Sequence, residues 1–128
     1  MPLPIELQHQ QAVVKWSQQP EIRTKYPELA MLYHVPNERL CSAAYGAQLK
    51  RAGVKRGVPD LDLPVARGHY HGLRIEMKAP GESETPEQVW WREHLTEQGC
   101  MCEVCHGYKM AVAVIEWYMN LGKYKEGK

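Results

Sequence analysis

Segment 72–80, GLRIEMKAP, alternates between apolar and charged positions over its middle part. Apolar side chains at every second position from 73 to 79 are separated by Arg74, Glu76 and Lys78. A period of two predicts a strand with one apolar face and one charged face. An edge strand whose charged face meets solvent would give this pattern. A strand that points Glu76 and Lys78 together into a functional site would give it as well.

Patterns along the rest of the chain predict eight elements around a mixed sheet. A period of 3.6 predicts helices at 4–18, 42–52 and 108–121, and a further helix opens at Thr85 and ends at Gly99. Strands are predicted at 29–35, 58–65, 70–79 and 100–105. The order α-β-α-β-β-α-β-α indicates a layered α/β domain, and the length predicts that residues 1–128 form one domain.

Two of these helices carry signals that bear on packing. The helix predicted from Thr85 to Gly99 begins with a capping box, in which Thr85 is the N-cap, Pro86 is the first helical residue and Gln88 closes the box. The predicted core face of the last helix consists of Met110, Ala113, Val114, Trp117 and Leu121.

The two middle strands are predicted to form a hairpin. If Gly68 lies in its turn, Asp60 lies opposite Glu76, with Lys78 one step further along the same face. Asp62 has the same parity and would lie nearby. A solvated hairpin face with cross-strand ion pairs would account for the same pattern.

The convergence of two carboxylates and an ammonium group suggests a particular chemistry. Asp60, which Pro59 stiffens, and Glu76 could hold Mg²⁺ or Mn²⁺ through hard oxygens, and the backbone carbonyl of Met77 could add a third. Lys78 could then orient or deprotonate the attacking water. These groups suit hydrolysis of a phosphodiester.

Pro59-Asp60 and Glu76-Met77-Lys78 have the form of the PD-(D/E)xK nuclease signature. Together with GVKRGVPDLDL, SETPEQVWWREHL and GYKMAVAVIEWYM, they resemble the VRR-NUC family of that superfamily over nearly the whole chain. The resemblance implies a restriction-endonuclease-like fold, with a mixed central sheet flanked by helices. It also implies a phage or bacterial protein.

The resemblance extends to other site residues. Glu6 and Gln10 match a glutamate and a glutamine on the family's first helix, and their spacing of four places them on one face. Gln88 matches a glutamine on a later helix, and Asn37 matches a position near the site. Glu6, Gln88, Asp60, Glu76 and Lys78 are therefore expected to be catalytic. Simpler roles remain open: an acidic first-turn residue for Glu6, the capping box for Gln88 and a turn for Asn37.

Charge and its distribution add a candidate DNA surface. The net charge is only +1, yet residues 39–59 contain five basic residues and no acidic one. A solvated helix end would explain this local excess, but a basic patch also suits phosphate contacts. The expected DNA-binding residues are Lys50, Arg51, Lys55, Arg56, Gln10 and Asn37.

The cysteines raise three alternatives to the magnesium or manganese site. Cys102 to His106 spells a C-x-x-C-H haem motif, but the chain shows no signal peptide, so we expect no haem. Cys100, Cys102, Cys105 and His106 could bind zinc, and Cys41 with the three later cysteines could bind an iron–sulfur cluster. We favour buried thiols on a strand. The chain also lacks an apolar run long enough for a membrane span, so we expect a cytoplasmic protein with reduced thiols.

The function that the resemblance implies is that of a metal-dependent, structure-selective DNA endonuclease that resolves four-way (Holliday) junctions as a homodimer. Flaps, ends or plain duplex are alternative substrates, and a catalytically silent DNA-binding module is an alternative function. Trp90 and Trp91 are expected in the core and at an interface rather than under stacked bases, and Tyr118 and Met119 are further interface candidates.

Overall fold

The computed structural model describes residues 2–36 and 41–126. Its elements are α1 (Ile5–Ser17), α2 (Pro20–Lys25), a 3₁₀ helix (Pro27–Met31), β1 (Tyr33–His34), α3 (Ala43–Arg51), β2 (Leu61–Leu63), β3 (Leu73–Lys78), α4 (Pro86–Glu97), β4 (Met101–His106) and α5 (Tyr108–Met119). The order differs from the predicted one because α2 and the 3₁₀ helix lie between α1 and β1. None of the helices in the described residues is long and apolar enough to cross a membrane.

The four strands form one mixed sheet in the order β1-β2-β3-β4. β2 is antiparallel to both of its neighbours, and β4 is parallel to β3. β3 is therefore an interior strand, and the edge-strand interpretation of its charged face is wrong. Leu61 pairs with Ile75, so continuing the ladder by one residue places Asp60 opposite Glu76, in the predicted register.

The connection between β2 and β3 contains the predicted glycine turn. Arg67 and Tyr70 form an isolated bridge around Gly68, whose φ of +56° is a conformation that glycine adopts readily. The connection is longer than a tight hairpin loop because β2 ends at Leu63, before this turn, and β3 begins only at Leu73, after it.

One face of the sheet carries the main core. The apolar side chains of β2 and β3 pack with Val13 and Trp16 of α1 and with Ile115 and Tyr118 of α5. The Tyr118 hydroxyl donates a hydrogen bond of 2.7 Å to the Val65 carbonyl, and burial raises the pKa of Tyr118 to about 12. α1 and α5 therefore cover this face, and the charged residues of β3 point to the other.

The predicted core face of α5 is wrong at Met110, Ala113 and Trp117, which are exposed, whereas Val114 and Leu121 do pack against the core. Its buried residues are Ala111, Ile115, Tyr118 and Met119, whereas Met110 and Trp117 are about half exposed. Apolar residues occur on most sides of this helix, so its periodicity does not identify the buried face. Tyr118 and Met119 are therefore unavailable as the exposed interface residues that the sequence suggested.

The predicted strand at 29–35 is mostly wrong as well. Only Tyr33–His34 is a strand, and the preceding apolar residues form the 3₁₀ helix. Pro27 occupies the first turn of that helix, where a fixed φ and a missing N–H are tolerated. Leu29 is buried from this helical turn, so the apolar run reflects core packing rather than strand pairing.

Candidate active site

The charged face of β3 is enclosed rather than solvated. Glu76 and Lys78 are each only 5% exposed, and Asp60, immediately before β2, is 8% exposed. Burying carboxylates and an ammonium group costs free energy unless partners compensate them. Three ionisable groups collected on one buried face of the sheet are therefore typical of a functional site rather than of a solvated sheet.

Asp60 is fixed against the backbone of β3. Its Oδ2 accepts a hydrogen bond of 2.8 Å from the backbone N–H of Met77. The N–H and C=O of one strand residue lie along the same edge, so the Met77 carbonyl also faces the β2 side. The carboxylate of Asp60 and the carbonyl of Met77 thus lie at the same end of the sheet, beside Glu76.

Gln88 connects α4 to this group. Its Oε1 accepts from the backbone N–H of Thr85 at 2.8 Å, and the Thr85 Oγ1 accepts from the Gln88 N–H at 3.2 Å, which confirms the capping box. Its Nε2 donates to Oε2 of Glu76 at 3.2 Å. One amide therefore caps the helix with its oxygen and contacts a carboxylate of β3 with its nitrogen.

A cleft of about 340 Å³ opens over these residues. Asp60 and Glu76 line it, together with Thr85, Glu87 and Gln88 from the start of α4. Lys55 and Arg56, from the loop between α3 and β2, line it as well. The cleft therefore places three carboxylates and two cations around a space open to a substrate.

Gly57 lets this loop approach α4 closely. Its φ is +90°, and a Cβ added to it would lie 2.6 Å from the carbonyl carbon of Glu87. The Nε1 of Trp91 donates a hydrogen bond of 3.0 Å to the Arg56 carbonyl. The loop that leads into Asp60 is thus fixed to the helix that carries Gln88, a role for Gly57 that the sequence pattern did not indicate.

Asp62 belongs to a separate cluster. Its carboxylate accepts a hydrogen bond of 2.6 Å from the Tyr33 hydroxyl and forms an ion pair of 2.9 Å with Arg74. The hydrogen bond to Asp62 raises the pKa of Tyr33, and burial adds a smaller increase in the same direction. Asp60, just before β2, and Asp62, within β2, therefore have different environments, although their side chains lie on the same face of the sheet.

Several predicted site residues lie away from the described lining of the cleft. Glu6 and Gln10 are on α1, which contacts β3; Gln10 is buried, and so is one carboxylate oxygen of Glu6. Lys50 and Arg51 are exposed in the last turn of α3. Asn37 lies outside the described residues.

The cysteines do not assemble into a site. Cys102 pairs with Arg74 and Cys105 with Met77, so the two cysteines of the C-x-x-C spacing lie on opposite faces of β4. Cys105 is fully buried, which raises its pKa to about 12, and burial also raises the pKa of Cys100 and Cys102. Within residues 2–36 and 41–126, no three His, Cys, Asp or Glu side chains are placed to hold a metal ion together.

Comparison with known proteins supports a nuclease family. The family model for the VRR-NUC domain matches residues 5–109. A solved structure described as a VRR_NUC domain protein is 34% identical and has a TM-score of 0.77, and the match covers 98% of this chain and 96% of that chain. No functionally curated protein matches the chain.

Proposed function

This chain belongs to the VRR-NUC domain family of nucleases, and from that premise we propose that it is a divalent-metal-dependent DNA endonuclease with an active site at Asp60, Glu76 and Lys78. The observation that carries the proposal is the hydrogen-bonded group formed by Asp60, the Met77 backbone, Glu76 and Gln88 beside an open cleft.

The donor set fits Mg²⁺ or Mn²⁺. Two largely buried carboxylates and a backbone carbonyl on the same edge are the hard oxygen ligands that these ions prefer. Asp60, Glu76 and the Met77 carbonyl would hold the ion. When bound, it would polarise the scissile phosphate and lower the pKa of a coordinated water.

The protein's own side chains would position the reacting groups. The Met77 N–H holds the Asp60 carboxylate, and the Gln88 amide holds that of Glu76, so neither needs to reorganise when substrate arrives. Lys78, two residues beyond Glu76 on the same strand face, would donate a hydrogen bond to the attacking water and offset the negative charge that develops on the phosphate. Glu6 would contribute from α1 through water.

The cations suggest how DNA is held. Lys55 and Arg56 would contact phosphates in the cleft, while Lys50 and Arg51 would contact the backbone further away. Gln10 and Asn37 are further DNA-contact candidates. No element for reading base edges is apparent in the described residues, which favours recognition of DNA shape. The proposed substrate is a four-way junction cut by a homodimer, whose two-fold axis would supply two sites.

The proposal is tested by exchanging the two carboxylates for their isosteric amides. Asp60→Asn and Glu76→Gln should each abolish Mg²⁺- or Mn²⁺-dependent cleavage, and DNA affinity should be kept or raised because less negative charge faces the phosphates. Asp62→Asn is the matched control: it lies on the same strand face but belongs to the Tyr33 and Arg74 cluster, so folded protein should keep its turnover. Turnover near wild type in Asp60→Asn or Glu76→Gln would refute the ligand assignment.

A further inference from the structure

A second pocket adjoins the cleft. It has a volume of about 290 Å³ and is lined by Arg56, Pro86, Glu87, Trp90 and Trp91. Arg56 and Glu87 also line the cleft beside Asp60 and Glu76. The two spaces therefore share a wall, and a strand whose phosphate entered the cleft would have its neighbouring nucleotide close to the second pocket.

Trp90 presents an aromatic surface at this pocket that is both exposed and held in place. Its side chain is 52% exposed, and the His94 ring stacks on it with ring centroids 4.0 Å apart and an interplanar angle of 24°. The Trp90 and Trp91 rings are nearly perpendicular to each other, with their centroids 5.3 Å apart. An exposed ring with a fixed orientation loses little further conformational entropy when a ligand stacks on it.

The neighbours of Trp90 are themselves anchored. The Nδ1–H of His94 can donate to the Trp90 carbonyl, 2.8 Å away, which holds the stacked ring. Trp91 bonds through its Nε1 to the Arg56 carbonyl, so the aromatic pair is tied to the loop that carries Arg56 and leads to Asp60. The pocket and the candidate active site are thus carried by the same loop, residues 52–60, and the same helix, α4.

We propose that this pocket receives an unpaired nucleobase of the strand being cut, stacked on the indole of Trp90, while Arg56 contacts the adjoining phosphate. This inference rests on the proposed nuclease function and names a determinant of its substrate choice. It replaces the core or interface role that the sequence suggested for Trp90.

A nucleobase fits the pocket better than other ligands because of what surrounds the ring. An aromatic platform next to a cation that can hold phosphate is the combination by which proteins bind single-stranded nucleic acid. Bases inside a duplex are covered on both faces by their neighbours, so only an unpaired or splayed base can stack on Trp90. Stacking tolerates any base, which agrees with the lack of an apparent base-reading element in the described residues.

The test compares binding to two DNAs in EDTA, where cleavage does not interfere. One is a fully paired duplex, and the other is the same duplex with a single-stranded tail. Trp90→Ala should lower the preference for the tailed DNA by about fivefold or more. Trp90→Tyr should retain most of it. Tyr124→Ala is the control, because Tyr124 is also an exposed aromatic residue (37%) but packs against the His71 ring and lines neither the cleft nor the second pocket, so it should leave the preference unchanged.

The outcomes separate this proposal from the nuclease assignment. A Trp90→Ala protein that keeps the wild-type preference, or a wild type that binds the tailed DNA no more tightly than the duplex, overturns the base pocket. Equal weakening on both DNAs also overturns it. A wild type that shows the Trp90-dependent preference but cleaves nothing with Mg²⁺ or Mn²⁺ supports the pocket and refutes only the proposed catalysis.

Discussion

At the scale of single residues, Lys78 is the proposed catalytic group that is separable from metal binding. It is 5% exposed and shares a strand face with Glu76. Lys78→Ala should lower turnover by roughly 10²-fold or more, the scale of a lost general base or charge stabiliser. Calorimetry should show a far smaller change in Mg²⁺ or Mn²⁺ affinity.

Lys55→Ala provides the contrast for that variant. Lys55 lines the cleft among the cations proposed to hold phosphate, so its loss should weaken DNA binding and raise KM more than it lowers kcat. A Lys78→Ala protein that loses metal and activity together would show that Lys78 supports the structure of the site instead.

Gln88 allows its two roles to be separated by a single substitution. In Gln88→Glu, a carboxylate oxygen can still accept from the Thr85 N–H, so the capping box should be kept. The donor to Glu76 is lost and a second negative charge takes its place. Turnover should fall by about 10- to 100-fold, as for other residues that hold metal ligands.

Gln88→Ala is the comparison, because it also removes the side-chain acceptor for the Thr85 N–H, one of the two hydrogen bonds of the capping box, and should lower both stability and turnover. If Gln88→Glu cleaves DNA at the wild-type rate, the hydrogen bond to Glu76 has no part in catalysis.

Much of the candidate site can be predicted at this scale because strand periodicity and hairpin register are local. From the sequence alone, they place Asp60, Glu76 and Lys78 on one face. Asp62 shows where such patterns fail: parity puts it on that same face, but its partner Tyr33 comes from β1. That pairing depends on tertiary contacts that periodicity does not contain.

At the scale of elements, the site depends on how closely the loop before β2 approaches α4. Gly57→Ala places a Cβ 2.6 Å from the Glu87 backbone and forces alanine to a φ of +90°. We expect a loss of about 1–3 kcal/mol in the free energy of unfolding from the backbone conformation alone. Displacement of the loop from α4 should add a clear loss of turnover.

Gly53→Ala isolates the second effect. Gly53 has a φ of +109°, but a Cβ there would meet nothing within 4 Å. It should therefore lose stability to a similar degree while keeping its turnover, measured on protein shown to be folded by circular dichroism. Equal loss of turnover in both glycine variants would mean that the approach to α4 does not matter.

The elements that could be predicted are those with local signals at their ends. Thr85 and Gln88 mark the start of α4, and Gly99 follows its last turn with a φ of +91°. The secondary structure of segment 29–35 and the buried face of α5 could not be predicted, because both segments are densely apolar in sequence. Whether such a run packs as a helix or a strand, and which side it buries, is decided by its neighbours.

At the scale of the whole molecule, the described part of the chain contains one candidate active site and several exposed apolar side chains that its own core leaves uncovered. Met110 and Trp117 are 46% and 53% exposed and lie seven residues apart, on the same face of α5. Trp90 is exposed at the pocket beside the cleft. If Trp90 binds DNA, the face of α5 that carries Met110 and Trp117 is the better candidate for contact between two copies of the chain, since exposed apolar patches commonly mark interfaces.

We expect the protein to be a homodimer that cuts four-way junctions in preference to linear duplex, because resolution requires two cuts and each chain supplies one site. Light scattering should report about twice the mass of one chain. Trp117→Glu should give a monomer, since a charge on the α5 face opposes its burial, whereas Trp90→Ala should remain dimeric. The monomeric variant should lose paired cleavage of the junction while retaining single nicks, because the group of Asp60, Glu76 and Lys78 lies within one chain. A wild type that is monomeric at micromolar concentration and cuts linear duplex equally well would contradict both the dimer and the junction preference, and would leave the nuclease assignment in place.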